Sequence, residues 1–154
     1  MPHDMRELVK EGYDHGEYEK KYRREGAGMD PFEEFMLDEF SRHLEANPEI
    51  LDLGCGTGLP FDQHLIGKGA TLTGVDISEK HVALAKENVP RGTFVQGDFS
   101  SHDEPGRYDG VLSLYAAFHI PREEHAELLK HVYRQLKDDG VILITLGTEP
   151  MEQD

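Results

Sequence analysis

Gly54, Gly56 and Gly58 stand at alternate positions in ILDLGCGTGLP (residues 50–60), behind an apolar run that carries one aspartate, Asp52. Glycine costs backbone entropy and is favoured where main chain must turn sharply or approach a ligand closely. The stretch therefore marks a place where something small meets bare backbone. Two more acids fall at expected strand ends: Asp76 closes ATLTGVD, 18 residues after Gly58, and Asp98 closes TFVQGD with Phe99 beside it. A carboxylate in the position of Asp76 accepts both hydroxyl protons of a ribose. Asp98, an acceptor for an exocyclic amine next to an aromatic ring, suits adenine. Asp52 beside the glycines repels phosphate and favours a cationic group.

The spacing also excludes alternatives. A dinucleotide fold wants G-x-G-x-x-G, whereas this chain reads G-x-G-x-G. Pro60 removes an amide donor from the helix start that would hold a pyrophosphate. There is no G-x-x-x-x-G-K-[ST] loop for a triphosphate. The ligand drawn by these residues is an adenosine carrying an amino acid and positive charge.

A second candidate region is YAAFHIPREEH (115–125), where Tyr115 and His119 should lie at the mouth of a pocket. His119 could serve as a general base near neutral pH, or hydrogen-bond its own loop. His119 and His125 flank Glu123 and Glu124, but no third ligand at suitable spacing supports a metal site. Cys55 reads as a small residue in a tight turn, with no basic neighbour to make it a nucleophile. His64, His81, His102 and His131 form no constellation and read as surface residues.

The elements that must position these groups follow from periodicity. Residues 5–24 read as a polar helix carrying Tyr13, Tyr18 and Tyr22, broken by the glycines at 26–28. In DPFEEF, Asp30 caps a second helix, Pro31 suits its first position and Glu33 closes a capping box. Phe32, Phe35, Met36 and Phe40 recur there at helical spacing, predicting one buried stripe. Strands are expected at 49–54, 70–76, 93–98, 108–116 and 141–147, and helices at 59–68, from Ser78 to Val89, and at 121–137. Val82, Ala85 and Val89 form one helix face; Leu128, Leu129, Val132, Tyr133 and Leu136 form another. Apolar strands separated by helices imply a doubly wound α/β fold with a mainly parallel sheet covered on both faces. Ligands bind such sheets outside the C-terminal strand ends, where the glycines fall.

Composition narrows the partners. With 154 residues the chain suits one domain, and no stretch approaches the length of a membrane span. Its 31 acidic against 16 basic side chains, net charge −15, oppose binding to nucleic acid. KKYRR (20–24) sits among Glu17, Glu19 and Glu25 and reads as a solvated helix face. The N-terminus has no apolar signal core, and the single Cys55 fits a reducing cytoplasm.

LDLGCGTG, GVDIS, GDFS, YDGVLSLYAAFHI and LKDDGVILIT, in this order and spacing, resemble the successive motifs of the class I S-adenosylmethionine-dependent methyltransferases with their Rossmann-like fold, over about residues 49–147. The resemblance implies that Gly54, Gly56 and Gly58, with Cys55 between them, line the methionine part of the cofactor and that Asp52 reaches its ammonium. It implies that Asp76 holds the ribose hydroxyls and Ile77 packs on the adenine. Asp98 and the Phe99 amide would recognise the adenine edge, and Leu114 would contact the methionine moiety through backbone. Tyr13 matches the tyrosines of the family's N-terminal lid helix. The implied organisation is a helical lid over 1–47 and a cofactor-binding core over 48–154, with a small-molecule methyl acceptor near Tyr115 and His119. Methyl transfer from a sulfonium needs nucleophile and methyl in line within about 3–3.5 Å and little else, so a base is optional.

One departure stands out. The family sheet continues past the fifth strand with a helix and an antiparallel strand pair, whereas this sequence stops at GTEPMEQD. An apolar strand at 141–147 left unpaired is an aggregation hazard. The expectation is that it does not stand bare: the sequence belongs to a longer protein, or a homodimer covers the strand, or the chain is a short variant that binds cofactor without transferring methyl. A non-catalytic cofactor-binding domain is thus the first competing class, and an NAD-dependent oxidoreductase, opposed by the glycine spacing, is the second.

Overall fold

A computed structural model describes residues 28–117 and 120–146. Its first element is α1 (Pro31–Arg42), followed by β1 (Glu49–Leu53), α2 (Phe61–Gly67), β2 (Thr71–Asp76), α3 (Glu79–Asn88) and β3 (Thr93–Gln96). Then come β4 (Tyr108–Ser113), a 3-10 turn at Arg122–Glu124, α4 (His125–Gln135) and β5 (Leu136–Ile144). The five strands form one parallel sheet in the order β3-β2-β1-β4-β5. The chain builds outward from β1 to β3, then crosses back to add β4 on the other side of β1. That reversal puts the switch point, and with it the ligand crevice of such folds, at the C-terminal end of β1.

Both sheet faces are covered, as near-continuous apolar strands require. Ile50, Leu72 and Leu112 pack with Leu37 and Phe40 of α1, Leu65 and Ile66 of α2, and Val82 and Ala85 of α3. Leu51, Leu53, Val75 and Val111 point the other way and pack with Leu128 and Val132 of α4. Alternation along β1 therefore puts Asp52 on the face of Ile50, toward α2.

The capping box of α1 forms as the sequence predicts: Asp30 accepts from the amides of Phe32 and Glu33, both at 2.9 Å, and Glu33 accepts from the Asp30 amide. The expected apolar stripe does not. Phe32 and Phe35 are 66% and 60% exposed, and the buried face is Glu33, Leu37 and Phe40. The box ties Glu33 inward, which rotates Phe32 and Phe35 out. On α4, likewise, Leu129 and Tyr133 are exposed, while Leu128, Val132 and Gln135 are buried.

Several boundaries also shift. The strand ends move inward: β1 stops at Leu53, β3 at Gln96 and β4 at Ser113. α4 ends at Gln135, earlier than the expected 137, and β5 begins at once. The fully buried Gln135 explains this: its side chain accepts from the Glu104 amide at 2.6 Å and donates to Asp103 at 3.1 Å, fixing the helix end. Leu136 then pairs with Tyr108, and the register shifts before Gly110 meets Val141. Among the described residues β3 and β5 are the two sheet edges, with Ile142 of β5 and Leu146 just past it exposed.

Candidate functional site

The site is assembled from strand ends. Leaving β1, the amides of Gly54 and Cys55 both donate to the Val75 carbonyl of β2, at 2.7 and 3.0 Å. This turns the chain through Gly54, Gly56 and Gly58, whose φ angles are +80°, +57° and +76°. Gly54 also needs its missing side chain, because a Cβ there would lie 2.3 Å from the Ala116 Cβ and 3.3 Å from the Phe99 ring. Gly56 differs: a Cβ would meet nothing within 4 Å, so its outer side is open. Gly58 is buried and faces Val89 and Phe94, so it serves the packing of the loop on α3 and β3.

Asp76 holds this loop from β2. One carboxylate oxygen accepts from the Gly56 amide at 2.8 Å and the other from the Ser78 amide at 2.9 Å. The Nδ1 of His81 lies 3.6 Å from Asp76 as well. Ser78 itself caps α3 by accepting from the His81 amide, which leaves Asp76 the loop rather than the helix. Asp52 is buried at the end of β1, and burial pushes its carboxyl up to about 6. Ile77 is half-buried beside Asp76, its carbonyl accepting from Gln96.

The remaining candidates come from the neighbouring strand ends. Asp98 lies past β3, where one of its oxygens accepts from the Ser100 amide and hydroxyl and the Ser101 amide, organising the 98–101 turn. Phe99 packs over Gly54 and against the α4-side core. Leu114 is buried just past β4. Tyr115 follows with φ +59°, a conformation costly for a bulky residue. Its amide donates to the Thr145 hydroxyl at 2.7 Å, and its ring sits 6.2 Å from that of Phe61. Tyr13 and His119 lie outside the described residues.

Cys55 is buried, and burial followed by the charge of Asp62 raises its thiol well above the ordinary range. It stays a thiol, in keeping with a packing role. The imidazole of His125 engages the Ile120 carbonyl at 2.9 Å. His81 is buried, contrary to the sequence expectation, because the Ser78 cap turns α3 down onto Asp76. His64, His102 and His131 are half-buried and engaged, with Asp38, with Tyr108 and Glu104, and with the His102 carbonyl respectively.

One group escaped the sequence. Asp62, on the first turn of α2, is fully buried, and neither of its oxygens has a partner of standard hydrogen-bond geometry. It faces Asp52, and burial together with that neighbouring charge raises it well above the usual carboxylate range. Its only sequence signal was an acid near a helix start, which ordinarily means an exposed side chain complementing the helix dipole.

A doubly wound sheet with a glycine turn clamped by an acid at its switch point defines a nucleoside-cofactor-binding α/β protein. Comparison with known proteins narrows the class. A family model described as "Methyltransferase domain" matches residues 50–140. An uncharacterized methyltransferase of Bacillus cytotoxicus is 31% identical over 124 residues, 80% of this chain and 56% of that protein. An S-adenosylmethionine-dependent methyltransferase structure from Mesorhizobium loti is 28% identical with a TM-score of 0.56, covering 65% of this chain and 47% of that one. A TehB-like S-adenosylmethionine-dependent methyltransferase from Corynebacterium glutamicum shares the fold at 21% identity and a TM-score of 0.73, over 90% of this chain and 74% of that one. The chain belongs to the S-adenosylmethionine-dependent methyltransferase domain family, with the Rossmann-like class I fold. It spans about half the length of the curated relatives it matches.

Proposed function

We propose that the protein transfers a methyl group from S-adenosylmethionine to a small-molecule acceptor. The observation that carries this reading is the clamp of Asp76 on the Gly56 amide, with Asp52 buried at the end of the next strand. The residues fit the cofactor: Gly56 offers an open backbone face, and three buried acids of one neighbourhood suit a ligand bearing an ammonium and a sulfonium. Asp52 would hold the ammonium, Gly54 and Gly56 the aminoacyl backbone, and Leu114 the methionine chain. Asp76 keeps lone pairs for ribose hydroxyls while it fixes the loop. Ile77 would pack on the adenine, and Asp98 and the Phe99 amide would recognise its edge.

When bound, the cofactor supplies an electrophilic methyl on sulfur. The protein's part is to orient that ligand, exclude water and place the acceptor. Tyr115, held in its strained backbone by Thr145, and His119 are assigned to the acceptor side, with the N-terminal segment over 1–47 and Tyr13 as the cover. Cys55 as a lone thiol fits a reducing compartment, and we assign the protein to the cytoplasm; among the described residues no helix is long and apolar enough to cross a membrane. The apolar edge at β5 is assigned to a partner strand, from the rest of a longer chain or a second copy. Incubation with S-adenosylmethionine and a panel of small O-, N-, C- and S-nucleophiles tests the reaction, read as S-adenosylhomocysteine formed. Turnover lost in Asp76→Ala is the expected result, and no product across the panel contradicts the transfer.

A further inference from the structure

Alternation puts Asp52 on the α2 side of β1, and the first turn of α2 brings Asp62 to meet it, close enough for the two carboxyls to interact directly. The pair is enclosed: Asp62 is 0% and Asp52 3% exposed. Asp62 has no other hydrogen-bond partner, an expensive state for a buried carboxyl. Two carboxyls in contact away from water cannot both ionise, so such a pair holds a shared proton. The slight remaining exposure belongs to Asp52, the member nearer the glycine loop.

We propose that Asp62 is a positioning residue for the cofactor: it keeps its own proton and donates it to the Asp52 carboxylate, while the second proton, which Asp52 carries in acid, leaves to solvent as Asp52 meets the cationic aminoacyl end of the ligand. This rests on the reading of S-adenosylmethionine as the ligand. Asp62 acts through Asp52 from behind. The arrangement couples cofactor affinity to pH through one defined proton.

The groups facing the pair come from three other elements. Asp76 of β2 adds a negative charge, and the Cys55 thiol lies in the glycine loop. His81 of α3 stands against Asp76. On α2 itself, His64 is turned to Asp38 of α1.

The test is calorimetric titration of S-adenosylmethionine into the wild-type chain, Asp62→Asn and Asp62→Leu between pH 5 and pH 8. Asp52 titrates near 6 in the wild type. Binding that requires its carboxylate is roughly tenfold weaker at pH 5 than at pH 7. Burial raises Asp52 and the hydrogen bond with Asp62 lowers it, so Asp62→Asn, whose amide still donates, keeps the wild-type profile, whereas Asp62→Leu removes the donor and moves the loss of affinity to higher pH. Independently of the variants, wild-type titrations at pH 5 in buffers of different ionisation heat should release close to one proton per cofactor bound. A flat wild-type profile with no proton released overturns the proposal, as does a profile in Asp62→Leu that matches the wild type. Failure of the wild type to bind at any pH overturns this proposal and the functional reading together.

Discussion

Replacing Asp76 by Asn separates the carboxylate's charge from its shape. In the native chain its two oxygens accept from Gly56 at 2.8 Å and Ser78 at 2.9 Å, in a side chain 5% exposed. An Asn of the same size keeps one acceptor and turns an NH2 group toward the other amide. One charge-assisted hydrogen bond is lost, the other becomes neutral, and a buried amide faces a donor. A hydrogen bond to a charged group contributes about 1.5–3 kcal/mol and an unsatisfied buried donor costs about 1–3 kcal/mol. The expected loss of stability is therefore about 2–4 kcal/mol, a large share of the stability of a domain this size. Urea unfolding followed by far-ultraviolet circular dichroism measures it, with the slope of the transition checked against wild type. An unchanged midpoint would refute the view that Asp76 holds the glycine loop. A chain destabilised as expected but binding S-adenosylmethionine with native affinity would refute its ribose role instead.

Other perturbations address separate parts of the account. Gly54→Ala forces a Cβ to 2.3 Å from Ala116 at φ +80° and should displace residues 114–117, lowering the melting temperature by several degrees; a melting temperature at the native value contradicts the close packing there. Tyr108→Phe removes the hydroxyl that donates to Glu104 at 2.5 Å and should cost about 1–2 kcal/mol in urea unfolding. Burial and then Glu104 push the Tyr108 phenol up to about 12, above its usual 10. Its stabilisation is complete below pH 10 and is lost as pH rises from 10 to 12; alkaline unfolding curves of Tyr108→Phe should lack that component. Asp52 and Asp62 are likewise raised by burial, so the folded state is favoured by protonation at the pair. That contribution is full below the ordinary carboxylate range and falls as pH climbs through 4 to 6. Asp62→Asn should therefore gain stability relative to wild type as pH rises over this window, and a constant difference would contradict the buried pair.

Much of the sheet was legible because its strands are apolar on both faces and each ends in punctuation. Glycines follow β1, Asp76 ends β2 with Ser78 after it, and Gly97 with Asp98 follows β3. Those same residues carry the site, so the fold and the candidate pocket were read from one signal. Helix faces were harder. Phe32 and Tyr133 look buried by type, yet Glu33 and Gln135 take the inner positions because each has hydrogen bonds to make there. Periodicity counts apolar residues and does not weigh a polar one that is bonded, whether to a near neighbour, as Glu33 is to Asp30, or to partners distant in sequence, as Gln135 is to Asp103 and Glu104. Asp62 and His81 were missed for the same reason: each sits near a helix start where an exposed polar residue is ordinary, and only the three-dimensional approach of α2 and α3 to β1 and β2 buries them. The end of α4 was misplaced because Gly140 resembles a helix stop, whereas the contacts of Gln135 end the helix earlier.

The central claim is that the cleft at the ends of β1 and β2 binds S-adenosylmethionine through the glycine loop and Asp76. The most direct measurement is calorimetric titration of S-adenosylmethionine and S-adenosylhomocysteine into the folded chain at pH 7, with Asp76→Ala and NAD as controls. The account predicts micromolar binding of both adenosyl ligands, weakened in Asp76→Ala, and none of NAD. A folded chain that binds neither adenosyl ligand, or binds them equally well without Asp76, would contradict it.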